Sequence, residues 1–495
     1  MAFILAMDQG TSSSRSIIYD DQAQPVAMAQ QAFKQYYPQP GWVEHDALEI
    51  WQSQIQVCQQ AMEQLQLQPA DIAGIGITNQ RETTVIWDRL SGQPIYHAIV
   101  WQDRRTADVC QQLKDAGLEA LIKAKTGLII DAYFSATKIQ WLLNHVDGAR
   151  AKANRGELAF GTIDTWLAWN LTKGKLHNTD VSNAARTLLF NINTLQWDEE
   201  LLALFDIPAS LLPSVKSSAE IYGHTTGPEL AAGIAIAAMA GDQQAALFGQ
   251  LCTEVGMTKC TYGTGSFIMM NTGTRRILSE HGLLTTIAWQ IGNTVNYALE
   301  GSVFIGGAVI QWLRDGLKLF ERASDAENLA DSVTDNGGIY FVPALTGLGA
   351  PYWDPHARGA IFGITRGTTA GHITRAGLES ICFQVDELLQ VLTCESGTPI
   401  PQLRIDGGAA ANNLMVQFQA DLSNLEIIRP GHLETTAQGA AYLAGIATGL
   451  WTIDELKTYW QIDRSFQGEP NRQDYTLLKR QWHKAVGRSK HWAEP

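Results

Sequence analysis

Apolar runs that stop abruptly at a polar cluster recur along this chain. The first is Phe3 to Met7, followed by Asp8, the turn Gly10-Thr11-Ser12-Ser13-Ser14-Arg15, and a second apolar run through Ile17 and Ile18. This pattern predicts two strands joined by a tight polar turn. Lys259 to Thr272 (KCTYGTGSFIMMNT) repeats the device, entering a Gly-Thr-Gly-Ser turn and leaving through apolar residues. Leu403 to Asn413 (LRIDGGAAANN) reads as a short strand, an Asp406-Gly407-Gly408 turn and small residues opening a helix. Ile72 to Thr78 (IAGIGIT) is a buried strand that ends in Asn79-Gln80-Arg81-Glu82-Thr83, and Ala98 to Arg105 (AIVWQDRR) passes from an apolar run into Trp101 and charge. Ala235 to Gly249 reads as a small-residue strand, Gly241-Asp242-Gln243-Gln244, and an Ala-rich helix.

Helical spacing appears from Asp46 to Leu67, where Ile50, Ile55, Val57, Met62 and Leu65 share a face and Asp46 is placed to cap. Further helices are expected at Tyr133 to His145, Gly161 to Thr172 (amphipathic), Thr374 to Leu392 and Thr435 to Gly449. Asp180 to Asn191 reads as loop then strand, and Glu300 to Leu319 as a loop, a glycine pair and a helix. Strands alternating with helices predict an α/β fold. Two glycine hairpins and one strand-DGG-helix turn suggest two related halves around one nucleotide. The boundary is expected near Gly249 to Gly256, giving an N-terminal domain of residues 1–249 and a C-terminal domain of residues 250–495.

A chain of 495 residues is long enough for more than one domain. Its net charge of −14 argues against nucleic acid or an anionic membrane as main partner, but not against a phosphate-bearing ligand, which senses local charge only. Cys58, Cys110, Cys252, Cys260, Cys382 and Cys394 form no CxxC pair, as expected of reduced thiols in a cytoplasmic protein. The start meets Asp8 too soon for a signal peptide, and the longest apolar run, near Ala231 to Ala240, is shorter than the ~18 residues of a membrane helix. No integral membrane segment is expected.

The chemistry follows from the turns. Gly10 lets the backbone approach a ligand, the amides and hydroxyls after it cradle an anion, and Arg15 adds charge. Asp8 at a strand end suits Mg²⁺, which takes a carboxylate plus phosphate oxygens. Neither GxxxxGK[ST] nor a complete GxGxxG occurs, so the hairpins must hold any nucleotide. Transfer from ATP to an alcohol further needs a positioned hydroxyl and a base. Asp242, after a glycine at a strand-to-helix turn, is the candidate base; its other reading is a helix N-cap. Arg81 and Glu82 suit hydroxyls, as donor fork and acceptor, or else form a surface ion pair. Trp101, Tyr133 and Phe267 read as an apolar wall against a carbon skeleton, or as core packing.

Nucleotide binding by hairpins across a cleft is similar to the arrangement in actin, hexokinase and Hsp70. More specifically, the chain resembles the FGGY carbohydrate kinase family. Matching stretches are Gly41 to His45 (GWVEH), Thr78 to Thr84 (TNQRETT), Trp101 to Arg105 (WQDRR), Gly241 to Gln244 (GDQQ), Tyr262 to Phe267 (YGTGSF) and Gly347 to Trp353 (GLGAPYW). Both family signature regions are present, at Tyr133 to His145 and Gly359 to Glu379, and the resemblance runs from about Phe3 to Trp451. NQRET with WQDRR points to the glycerol branch.

The resemblance implies two actin-like, ribonuclease H-like domains of the hexokinase ATPase type, with the active site in the interdomain cleft. It implies ATP-dependent phosphorylation of glycerol to sn-glycerol 3-phosphate with Mg²⁺. Arg81, Glu82, Tyr133 and Asp242 would bind glycerol hydroxyls with Gln243 alongside, Trp101 and Phe267 would pack on its carbons, and Asp242 would be the base. Thr11, Ser12, Ser13, Arg15, Thr264, Gly307, Gln311, Gly408 and Asn412 would hold the nucleotide, and Asp8 would act through Mg²⁺. A homo-oligomer, dimer or tetramer, is also implied. The rivals are a kinase for another polyol or a ketose, and an actin- or Hsp70-like ATPase switch, which has no use for Arg81-Glu82. Some bacterial enzymes of this kind are inhibited by fructose 1,6-bisphosphate through a Gly-rich loop carrying an arginine. The corresponding Gly223 to Gly241 has none, and no Lys or Arg occurs between Lys216 and Lys259.

Overall fold

The computed structural model describes residues 2–469 and 474–493. The first half opens with β1 (Phe3–Gln9), β2 (Ser13–Tyr19) and β3 (Pro25–Ala32), an antiparallel meander. α1 (Ala47–Gln64) covers one face, and Asp46 caps it by accepting from the Leu48 N–H at 2.8 Å. β4 (Ile72–Asn79) then runs parallel to β1. Buried on both faces, it reads as a continuous apolar run rather than an alternation. α2 (Ser135–His145), the short α3 (Val181–Ala184), β5 (Ala219–His224), β6 (Ala235–Gly241) and α4 (Asp242–Gly249) complete this half.

The second half repeats the plan. β7 (Thr258–Tyr262) and β8 (Ser266–Gly273) form the second hairpin, extended by β9 (Leu284–Ile291) and β10 (Thr294–Val303). After α5 (Ala308–Asp315) and the long α6 (Ala370–Ser396), β11 (Leu403–Asp406) lies parallel to β7 as β4 lies parallel to β1. α7 (Asn413–Ser423), β12 (Ile427–Pro430), α8 (Thr435–Thr448), β13 (Ile462–Phe466) and α9 (Tyr475–Ser489) follow. The strands form one sheet of order β13-β12-β11-β7-β8-β10-β9-β5-β6-β4-β1-β2-β3. Its two halves meet at β5 and β9 through one register pair, Ala219 with Ile291.

Two helices tie the halves more firmly than that seam. α8, from the second half, lies on β1, β4 and β6, while α4 reaches β7, β8 and β9. They cross at a contact that admits no side chain: a Cβ on Gly439 would overlap the Ala245 carbonyl oxygen, and one on Gly249 the Thr435 carbonyl oxygen. Ala237, Ala245, Phe248, Met269, Trp289, Ala437 and Tyr442 share one apolar cluster around the crossing.

Three segments differ from their sequence reading. The helix within Gly161 to Thr172 (Ile163–Leu171) is buried on nearly every side, not amphipathic, because Trp166 and Trp169 pack on Trp87 and Asp164 accepts from Thr162 and Thr179. Asp180 caps α3 rather than lying in a loop. Glu300 sits inside β10, not in the loop after it.

Candidate functional site

Parallel strands deliver their C-terminal ends to one edge, where open α/β sheets bind ligands. Asp8 of β1 is in register with Thr78 of β4, and Asn79 with Gly241 of β6. Asp8, Gln80-Arg81-Glu82 and Asp242 therefore emerge side by side. α3 clamps the ends: the Asn79 amide donates to Asn183 Oδ1 at 3.0 Å, and Ser182 Oγ accepts from the Gly241 N–H at 3.0 Å.

Arg81 is the hub. Its Nη1 donates to Glu300 Oε2 at 2.6 Å and its Nη2 to Glu300 Oε1 at 2.9 Å, a bidentate pair. Nη2 also reaches the Tyr133 hydroxyl at 3.3 Å, and Nε lies 3.2 Å from Asp242 Oδ1. Glu82 accepts from Arg186 Nε at 2.7 Å, and Arg186 Nη2 donates to Glu300 at 3.1 Å. Arg81, Glu82, Arg186 and Glu300 are all buried, so Arg81 and Glu82 do not form a surface ion pair.

Asp242 is different. It is the first residue of α4, with Gly241 in the cap position, and its Oδ1 accepts from the next residue's N–H, Gln243, at 2.8 Å. The N-cap reading is thereby replaced. Its side chain is 30% exposed against 1% for Arg81, so the carboxylate faces the cleft from a buried ionic base. Burial raises its pKa, opposed by Arg81 and Lys259. Burial also lifts Asp8 to about 6, against Arg15 and aided by the charge of Asp242. Glu300 goes the other way: against its burial, Arg186 and Arg81 hold it down at about 2.

Aromatic rings wall the same space. Trp101 meets Tyr133 edge-on at 5.6 Å and Phe267 at 6.5 Å between centroids. Trp101 Nε1 donates to Thr11 Oγ1 at 2.9 Å, joining the wall to the first hairpin turn. Buried Lys138, lowered to about 8 by desolvation, donates to the Phe134 carbonyl at 3.1 Å and to that of Tyr133, fixing the loop that carries the Tyr133 ring.

The nucleotide candidates fall into two groups. Thr11, Ser12, Ser13 and Arg15 surround the first turn, where Ser13 Oγ accepts from Gln30 and Arg15 lies 3.7 Å from Asp8. Arg15 also pairs with Glu434 of the second half. In the second half the turn Gly263-Thr264-Gly265 docks on Gly306-Gly307: the Gly306 N–H reaches the Thr264 carbonyl and the Gly307 N–H that of Gly263, both at 2.8 Å. Ser266 Oγ, beside Gly306, is buried with no hydrogen-bond partner. Gly408 follows Gly407, whose φ of +85° admits glycine readily, and a Cβ on Gly408 would meet nothing within 4 Å. Gln311 lies on α5, and Asn412 is spent on capping α7, accepting from the Met415 N–H at 2.9 Å. Gln243 is partly spent too, its Oε1 accepting from buried Lys259 at 2.5 Å.

Arg186, Glu300 and Lys259 carry no role in the sequence reading. The available signal was a charge inside an apolar strand: Glu300 follows Ala298-Leu299, and Lys259 precedes Cys260. A charged strand residue shielded from water needs hydrogen-bonding or charged partners.

Comparison with known proteins identifies the family. The N-terminal domain model of the FGGY family of carbohydrate kinases matches residues 3–249, and the C-terminal domain model matches residues 258–448. The chain is 59% identical to a glycerol kinase of Parabacteroides distasonis and 57% identical to one of Burkholderia multivorans, each over 99% of both chains. Among solved structures it resembles a Plasmodium falciparum glycerol kinase with ADP, at TM-score 0.92 and 37% identity, covering 99% of this chain and 98% of that one. A xylulose kinase of Lactobacillus acidophilus has the same fold at TM-score 0.89 and 23% identity, again covering 99% and 98%. With both domain models matched and relatives aligned along its whole length, the chain belongs to the FGGY family of carbohydrate kinases.

Proposed function

We propose that this protein transfers the γ-phosphoryl group of ATP to glycerol, giving sn-glycerol 3-phosphate. The observation that carries the reading is one partly exposed carboxylate, Asp242, beside a buried arginine that also reaches Tyr133, whose ring meets Trp101 and through it Phe267. A small polyol needs both: hydrogen bonds to hydroxyls and apolar cover for carbons. Relatives of 57–59% identity that carry the glycerol kinase name support the choice of substrate.

Asp242 takes the proton of the attacking hydroxyl; burial raises its pKa, which makes it a better base than an ordinary aspartate, and Arg81 and Lys259 oppose that rise. Arg81, Glu82, Tyr133 and Gln243 orient the hydroxyls, and Trp101 and Phe267 cover the carbon chain. Thr11, Ser12, Ser13 and Arg15 grip the phosphates. Thr264, Gly307, Gln311, Gly408 and Asn412 hold the rest of the nucleotide, in the open space beside Gly408.

The donor chemistry at Asp8 fits Mg²⁺: a mostly buried carboxylate, beside the phosphate turn, whose charge is partly relieved by Arg15 at 3.7 Å. When bound there, the ion would neutralise charge on the transferring phosphoryl oxygens. Five of the six cysteines are buried free thiols, which supports a cytoplasmic setting. Among the described residues no helix is long and apolar enough to cross a membrane. Assembly as a homo-oligomer belongs to the same reading, and analytical ultracentrifugation tests it.

The test of the function is ATP consumption across glycerol, dihydroxyacetone, pentuloses and gluconate. Turnover strictly dependent on glycerol is expected. A stronger response to a pentulose or gluconate moves the substrate within the family, and turnover without any acceptor overturns the reading.

A further inference from the structure

The substrate half of the site contains a side chain from the other half. Glu300, on β10, binds both terminal nitrogens of Arg81 and one of Arg186. Arg186 in turn holds Glu82, and Glu82 lies 3.8 Å from Arg81 Nε. Four buried charges thus form a closed ring. Such rings are poor stabilisers, because desolvation offsets most of the attraction. Their presence beside a reacting carboxylate calls for another reason.

Orientation supplies it. The terminal nitrogens of Arg81 are taken up by Glu300, with Gln244 and Tyr133 as lesser partners. This fixes the guanidinium plane so that Nε points at Asp242. Without Glu300, the carboxylates left beside the guanidinium are Asp242, at 3.2 Å from Nε, and Glu82, at 3.8 Å and already bound by Arg186. The freed terminal nitrogens would then turn onto Asp242 as well and block the place of the substrate hydroxyl. Glu300 is well built to prevent this. It stands on a central strand, paired in register with Met269 of β8, and it shares a sheet face with Phe267, two residues along. The same pair of strands thereby presents the apolar wall and the anchor of the arginine.

We propose that Glu300, backed by Arg186, is a positioning residue for glycerol recognition: it holds the terminal nitrogens of Arg81, so that the guanidinium meets Asp242 through Nε alone and keeps a fixed orientation toward the substrate hydroxyls. This rests on the reading of Arg81 as a glycerol ligand.

The experiment compares the full-length protein with Glu300→Asp and Glu300→Gln. Aspartate keeps the charge and loses one methylene of reach; glutamine keeps the reach and loses the charge. Each is assayed with glycerol, with 1,2-propanediol and with varied ATP. Failure of the unaltered protein to phosphorylate glycerol removes the underlying reading, independently of the variants. Given activity, Glu300→Asp is expected to lose ~10²-fold in kcat/KM for glycerol, the scale of a misplaced ligand group, with the KM for ATP unchanged. The preference for glycerol over 1,2-propanediol should narrow in both variants, a change that a purely structural role would not produce. Wild-type glycerol kinetics and preference in Glu300→Asp would reduce Glu300 to a counter-charge and overturn the proposal. If Glu300→Gln does not fold, Glu300→Asp decides; if that variant does not fold either, Glu300 serves stability and the proposal is equally overturned.

Discussion

Replacing Asp8 by asparagine separates what this residue does for the ligand from what it does to the fold. Burial moves its carboxyl from the usual 3.8 to about 6, even with Arg15 at 3.7 Å. The folded state therefore prefers the protonated form. Well below pH 3.8 both folded and unfolded chains carry the proton and no penalty exists. Between 3.8 and about 6 the unfolded chain ionises first, and above that range the full penalty applies. At ~1.4 kcal/mol per pH unit this amounts to about 3 kcal/mol. Asparagine imitates the protonated acid. The ligand-free Asp8→Asn protein should therefore melt several degrees above the unaltered protein at pH 8, and that margin should fall to about half its free energy by pH 5. Phosphorylation should be lost at the same time, and Mg-ATP should no longer raise the melting temperature as it does for the unaltered protein. Calorimetry at the two pH values, with and without Mg-ATP, reads all of this. A variant less stable than its parent at pH 8, or a margin independent of pH, refutes the reasoning.

Asp242→Asn should lower kcat by ~10²–10⁴ with the fold and the KM for ATP retained; near-normal turnover would leave Asp242 a mere helix-terminal residue. Arg81→Ala should raise the KM for glycerol far more than that for ATP, and in the unaltered protein 1,2-propanediol should be the worse substrate by ~1–3 kcal/mol for its missing hydroxyl; a rise in the ATP KM instead would move Arg81 to the nucleotide site. Gly439→Ala, whose Cβ would overlap the Ala245 carbonyl oxygen, should lower the melting temperature, whereas Gly487→Ala in α9, where a Cβ meets nothing within 4 Å, should raise it by up to ~1 kcal/mol of stability. Fructose 1,6-bisphosphate should inhibit little in a glycerol phosphorylation assay across enzyme dilutions: the cavity of about 390 Å³ beside the arginine-free loop is lined by Glu63 and Glu229 and by no cation. Strong saturable inhibition there would show that cations from elsewhere converge on the inhibitor.

The hairpins, the buried strand ending at Asn79 and the strand-turn-helix at Gly241 were readable because each is a local pattern: an apolar run, a small polar turn, a change of period. The helix at Ile163–Leu171 was misread because its own Trp166 and Trp169 meet Trp87 of another segment, and periodicity carries no information about what a helix is packed against. The same limit applied to the crossing of α4 and α8. Gly249 and Gly439 look like helix-weakening residues in isolation, and only the partner helix shows why no larger side chain fits.

For the site, the division falls between residues that touch the cleft and residues that hold those residues in place. Asp8, Arg81 and Asp242 lie at strand ends, which the pattern of runs and turns marks directly. Glu300 and Arg186 lie 219 and 105 positions from Arg81 in sequence; Glu300 meets Arg81, and Arg186 meets Glu300, because β10 and the segment after α3 converge there. What a single sequence does offer is the cost of burying a charge. A glutamate inside an apolar strand has no water to solvate it, so it must have a cation, and a cation without a surface must have a purpose or a second anion. Applied to Glu300, that rule calls for a buried cation, and the fold makes it Arg81; for Lys259 the hydrogen-bond partners are the neutral Gln243 and Thr261, which charge alone does not point to.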